Sequence, residues 1–163
     1  MNAPHDMDSL VLIGKESMDH TARSGEDYLP KLLVGYTSGQ VILFGLAIDM
    51  DDLPTVLAGI MDEKVDWISL TVDSYYAALV TDEDIEMPLS TAFASGDNRV
   101  SEALSITIVT ADTAEFVMVP YRRTGPQQRT LSWREPVPHD GLNMSGRVLD
   151  ALRFAVTMSG RES

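Results

Sequence analysis

Carboxylates are the one reactive side-chain type present in quantity, with 25 Asp and Glu against 12 Lys and Arg. The densest run is Thr81-Asp82-Glu83-Asp84-Ile85-Glu86. Asp82, Asp84 and Glu86 alternate, so an extended backbone would aim them to one side. Converging hard oxygens are what Mg²⁺ or Ca²⁺ requires. Together with Asp73, this trio suggests a carboxylate- or metal-dependent hydrolase. The run lacks the mid-loop Gly and distal Glu of an EF-hand, and a solvated acidic loop accounts for it without an ion. The expectation is therefore no metal ligand and no cofactor. Asp49, Asp51 and Asp52 are better explained as helix caps than as ligands.

Other chemistries fail on residue type. The chain has no cysteine, which removes thiolate nucleophiles, disulfides and Cys-ligated metals. His5, His20 and His139 show no metal-binding spacing. No G-x-S-x-G elbow and no glycine-rich phosphate loop occurs. No catalytic residue is assigned, and the balance leans away from an enzyme.

The formal net charge is −13, unevenly placed. Residues 1–98 hold 18 acidic and 4 basic side chains, whereas residues 99–163 hold 7 and 8. Such a field repels nucleic acid and anionic membranes. It is either a solvated surface or an acidic face that docks a basic partner, as an inhibitor imitating DNA would. Arg122, Arg123, Arg129 and Arg134 form the one basic concentration. They could hold a carboxylate or phosphate, or meet the acidic half of a second copy in a homodimer. No apolar run is long enough to span a bilayer. The first residues, Met1-Asn2-Ala3-Pro4-His5-Asp6, lack the features of a secretory signal, so the expected address is the cytoplasm.

The elements that must position these groups read as one α+β domain over 1–163. The spacing of Met7, Leu10, Val11, Gly14 and Met18 predicts a first helix over 6–23, with Gly14 a weak point in it. Ser38-Gly39 predicts a hairpin between Lys31–Thr37 and Gln40–Ile48. Val41–Ile48 is apolar on both faces, which places it centrally in the sheet. A second helix is expected over 51–64. The best-patterned strand is Asp66–Tyr76, with Ile68, Leu70 and Val72 inward and Trp67, Ser69, Thr71 and Asp73 on a half-exposed face. Residues 77–101 read as a long acidic loop between strands. Glu102–Ala111 and Ala114–Tyr121 are strands, and Pro120 in the second suggests an edge or the strand's end. A short strand around Trp133 and a helix over 143–158 complete the chain. The order is helix, two strands, helix, three strands, an optional fourth, and helix. This makes a single, mainly antiparallel sheet of five or six strands with three helices.

The strand end Val72-Asp73-Ser74-Tyr75-Tyr76, followed after a variable loop by Asp97-Asn98-Arg99-Val100-Ser101-Glu102-Ala103-Leu104, resembles a family of small uncharacterised proteins of bacteriophages, actinobacteria and archaea. In these an acidic-aromatic strand end precedes a D-P-x-R-x-E-A-hydrophobic segment. Here Asn98 stands where the family has Pro. The resemblance spans about 35 residues and implies a prokaryotic or phage accessory protein without an assigned activity. It also implies that Arg99 and Glu102 pair with Asp73 or with each other at the loop exit. The order of elements is similar to roadblock and profilin-like folds, which transfers no function.

The expected function is that of a non-enzymatic interaction protein, acting by protein binding or self-association through the long loop. Long loops in compact domains are disproportionately functional. The candidate contact residues are Tyr75, Tyr76, Asp82, Asp84, Glu86, Phe93 and Arg99. The rivals are the DNA-imitating inhibitor and the carboxylate hydrolase.

Overall fold

The computed structural model describes residues 6–46, 52–77, 87–140 and 146–161, with 138–140, 146 and 147 in backbone alone. The described elements are α1 (Met7–Ser24), β1 (Lys31–Tyr36), β2 (Val41–Gly45), α2 (Leu53–Ala58) and β3 (Val65–Ala77). They continue with α3 (Leu89–Ala94), β4 (Val100–Thr110), β5 (Ala114–Thr124), β6 (Thr130–Trp133), β7 (Val137–Asp140) and α4 (Gly146–Met158). The strands form one antiparallel sheet in the order β2-β1-β3-β4-β5-β6, with β7 also on β5. The α+β class and the antiparallel sheet are those the sequence predicts.

Helix α1 starts where Asp6 accepts a bond from the Ser9 amide at 2.7 Å, which satisfies one of the free N–H groups of the first turn. It ends at Gly25, whose φ of 72° lets the Gly25 and Glu26 amides fold back onto Ala22 and Thr21 carbonyls. Gly14, costly in a helix, has a packing reason. A β-carbon there would come within 2.8 Å of Leu104 Cδ2, so the missing side chain lets α1 settle on the sheet.

Two cores share the sheet. On one face Leu32, Val34, Ile68 and Leu70 pack with Leu57 of α2 and Leu152 and Val156 of α4. On the other, Trp67, Leu104, Ile106, Val117 and Val119 pack with Leu10 and Val11 of α1. The expected half-exposed face of β3 is therefore corrected: Trp67, Ser69 and Thr71 are 5%, 1% and 5% exposed. Helix α1 covers β4 to β6, and Trp67 lies over Gly35 of the neighbouring strand. Polar Ser69 and Thr71 made this face look wet; Ser69 Oγ is buried with no hydrogen-bond partner among the described residues, a cost that the surrounding packing offsets.

The central placement of Val41–Ile48 is also corrected. Strand β2 is an edge, and β1 stands between it and β3. Its two-sided apolarity arises because Ile42 and Phe44 reach one core and Val41 the other, while Leu43 is 59% exposed. Periodicity reports what lies above and below a strand, not what lies beside it.

Pro120 does not end β5, which runs on to Thr124. Its carbonyl accepts from the Arg134 amide at 2.9 Å, so its nitrogen faces the same edge. That edge is the gap between β6 and β7, which pair with β5 on either side of Pro120. The missing N–H therefore falls where no ladder bond is due.

The second helix is shorter than expected. Helix α2 stops at Ala58 before Gly59, and Asp52 stands at its N-cap without a side-chain cap bond. Asp49 and Asp51 lie outside the described residues. The described part of the 77–101 connection is not a bare loop: it carries α3, whose Ala92 is fully buried. Since Ala77 pairs with Val100, the connection leaves and re-enters the sheet at one place.

Candidate interaction groove

The register of the sheet aligns one row of side chains across four strands. Tyr75 of β3 stands opposite Glu102 of β4, Glu102 opposite Tyr121 of β5, and Tyr121 opposite Trp133 of β6. The Tyr121 and Trp133 rings are 5.0 Å apart. Trp133 in turn donates its indole N–H to Asp19 at 3.0 Å, which fixes the row to α1.

A polar network is built on this row. The Tyr121 hydroxyl donates to Asp73 Oδ1 at 2.6 Å and lies 3.5 Å from Glu102 Oε1. Arg123 donates from Nε to both Glu102 oxygens, at 3.0 and 3.2 Å. Burial raises the Asp73 pKa against the opposing pull of the Tyr121 hydrogen bond. Burial, then the Asp73 hydrogen bond and charge, raise that of Tyr121. Burial alone would lower the Arg123 pKa, but the Glu102 hydrogen bond and charge raise it overall.

The candidate contact residues divide. Tyr75 packs on Phe93 of α3 with ring centroids 5.3 Å apart. Arg99 grips its neighbour Asp97, with Nε to Oδ1 at 3.0 Å and Nη2 to Oδ2 at 2.7 Å. Those side-chain bonds, aided by the Arg99 amide, hold the Asp97 pKa down at about 2. The implied clasp thus takes another form: Arg99 holds Asp97, Glu102 receives Arg123, and Asp73 receives Tyr121. Asp82, Asp84 and Glu86 lie outside the described residues.

Tyr76, Phe93 and Arg99 line one groove of about 1010 Å³ at the end of the sheet. The facing wall comes from the segment that carries the basic concentration: Tyr121, Arg122, Arg123 and Arg134. Sequence reading identified both walls but had no reason to join them. It missed Tyr121 altogether. The available signal was a tyrosine in strand alternation with Val117 and Val119, directly before Arg122-Arg123.

Four arginines and three carboxylates, Asp97, Glu102 and Glu135, line the groove. Arg99 and Arg123 are held in ion pairs. Arg122 and Arg134 are exposed, and neither guanidinium has an ion-pair partner among the described residues. A second cavity of about 450 Å³ adjoins this groove and shares Arg123 and Gln128 with it. It adds Tyr28, Asp73 and Arg129. Among the described residues no partner lies within hydrogen-bond geometry of the buried Tyr28 hydroxyl, and burial raises its pKa. Arg129 lies over Gly25, at the carbonyl end of α1, where a cation is favoured.

Among the described residues no three His, Asp or Glu side chains are grouped to hold a metal ion. No described helix is long and apolar enough to cross a membrane. What the fold and groove define is an α+β protein with a concave, arginine-lined end in a chain of net charge −13. Comparison with protein-family models, curated proteins and solved structures finds no match to this chain.

Proposed function

We propose that the chain is a non-enzymatic cytoplasmic interaction protein, of the phage or actinobacterial accessory kind, that binds a protein partner or a second copy through this groove. The observation that carries the reading is the meeting of Tyr76, Phe93 and Arg99 with Arg122, Arg123 and Arg134 around one concavity. Aromatic and arginine side chains are the types that dominate interface energetics. Here they are already held in place: Phe93 by Tyr75, Arg99 by Asp97 and Arg123 by Glu102. Pre-ordered side chains lose less entropy on binding.

Phe93, 38% exposed, is the side chain to change. A Phe93→Glu variant with unchanged circular dichroism is expected to lose partners captured by the tagged protein from host lysate. Light scattering on the same variant reports loss of self-association. Wild-type behaviour in both measurements would rule out the groove as the contact.

The charge asymmetry of the chain favours one rival, an acidic inhibitor that imitates nucleic acid. That reading predicts competition with DNA for a DNA-binding protein, weakening as salt screens the charges.

A further inference from the structure

We infer that the groove receives an acidic protein segment, its carboxylates taken by Arg122 and Arg134 and an apolar side chain seated against Phe93. This rests on the interaction reading above and narrows it to a ligand chemistry.

The argument begins with charge. A chain of net charge −13 has gathered four of its 12 basic residues around one concavity. Two of the four, Arg99 and Arg123, have their charge answered by Asp97 and Glu102. Arg122 and Arg134 do not have it answered within the described residues, and both are exposed on the groove wall. Exposed guanidinium groups beside fixed ones form a receiving surface for carboxylates.

Residue choice points the same way. All 8 basic residues of 99–163 are arginine, and every lysine falls before them. The guanidinium fork matches a carboxylate with two parallel hydrogen bonds, which an ammonium cannot do. Solubility alone would not select one over the other.

The concavity also has length. Arg123 and Gln128 border both the groove and the adjoining cavity. Gln127, which lines the cavity, and Gln128, which lines both hollows, stand at φ 57° and 55°. Non-glycine residues held at positive φ are strained, and such positions recur at ligand-contacting turns. Arg129, the next residue, lines the cavity side. A chain segment laid along the groove would thus meet Arg134 and Arg122 and, further on, Arg129.

Nucleic acid fits less well. A polyphosphate carries a charge at every nucleotide and would feel the repulsion of the whole acidic surface. A segment with a few carboxylates and an apolar residue feels less of it and makes use of Phe93 and Tyr76.

The test is fluorescence anisotropy at low salt with four labelled probes. They are an Asp/Glu-rich peptide with one Phe, its Asn/Gln counterpart, a phosphoserine counterpart and oligo-dT. The acidic peptide is expected to bind at least about tenfold tighter than the neutral one, a difference near 1.4 kcal/mol, and to weaken with added salt. Arg122→Glu and Arg134→Glu are each expected to abolish this preference, Arg122→Lys to reduce it, and Arg153→Glu on α4 to leave it intact. Equal affinity for acidic and neutral peptides would overturn the inference, as would an acidic-peptide affinity untouched by both charge reversals. Tighter binding of oligo-dT or of the phosphoserine peptide would assign the groove to phosphate instead. Capture of a partner that is lost in Phe93→Glu but kept in Arg122→Glu/Arg134→Glu would leave the interaction reading standing and remove the acidic ligand.

Discussion

The hydroxyl of Tyr121 on β5 donates to Asp73 on β3 across the whole width of β4, at 2.6 Å. Two strands that are not neighbours are thereby joined at the end of the sheet where the groove opens. The bond sits on the aligned row from Tyr75 to Trp133, so it also sets the base on which Arg123 rests, 5.7 Å above the Tyr121 ring.

Tyr121→Phe removes that donor while keeping the ring. Tyr121 is 1% exposed, and its loss leaves a mostly buried carboxylate short of a partner. The expected destabilisation is about 1–3 kcal/mol in urea unfolding. It is larger at neutral than at acid pH, because a protonated Asp73 has less need of the donor. An unchanged midpoint at neutral pH would show that the bond contributes nothing.

Asp97 and Asp73 give opposite pH signatures. Asp97 is held at about 2, below the ordinary 3.8, so its contribution is present above 3.8 and is lost as pH falls toward about 2. Asp73 is raised above 3.8, so its contribution is greatest below 3.8 and is lost as pH rises through the raised value. Unfolding measured from acid to neutral pH should therefore show Asp97→Asn flattening the acid limb. Asp73→Asn should flatten the decline just above it, since the Asn carbonyl still accepts from Tyr121. Exchanged effects would reverse the assignment.

Gly35 faces Trp67 across the β1–β3 ladder, and a β-carbon there would overlap the indole ring. Gly35→Ala is expected to cost about 1–3 kcal/mol through overpacking. In a Trp133→Phe background it should also shift the emission of Trp67, then the one tryptophan left of the chain's two. A stable variant with unaltered emission would mean that the ring packs elsewhere.

Gln127→Gly relieves a left-handed residue at φ 57°. Relief of about 1–2 kcal/mol is partly offset by the entropy glycine loses on folding. A net gain of about 0.5–1 kcal/mol in thermal unfolding is expected. Destabilisation instead would show that the Gln127 side chain holds the turn.

Much of this architecture was legible along the chain. The first helix, the Ser38-Gly39 hairpin and the long strand through Ile68 and Leu70 depend on neighbours a few residues apart, which the sequence displays directly. Burial by distant elements does not show there. Thr71 reads as solvent-facing until Gly14 of α1 settles beside it, and Val41–Ile48 reads as central until β1 separates its strand from β3. The acidic composition and the arginines of 122–134 were likewise plain, and both walls of the groove were named as separate features. Only the antiparallel return of β4 beside β3, and of β5 beside β4, sets Phe93 and Arg99 against Arg122 and Arg134. That register rests on the two faces of the sheet being buried at once, a condition no local stretch of the chain carries.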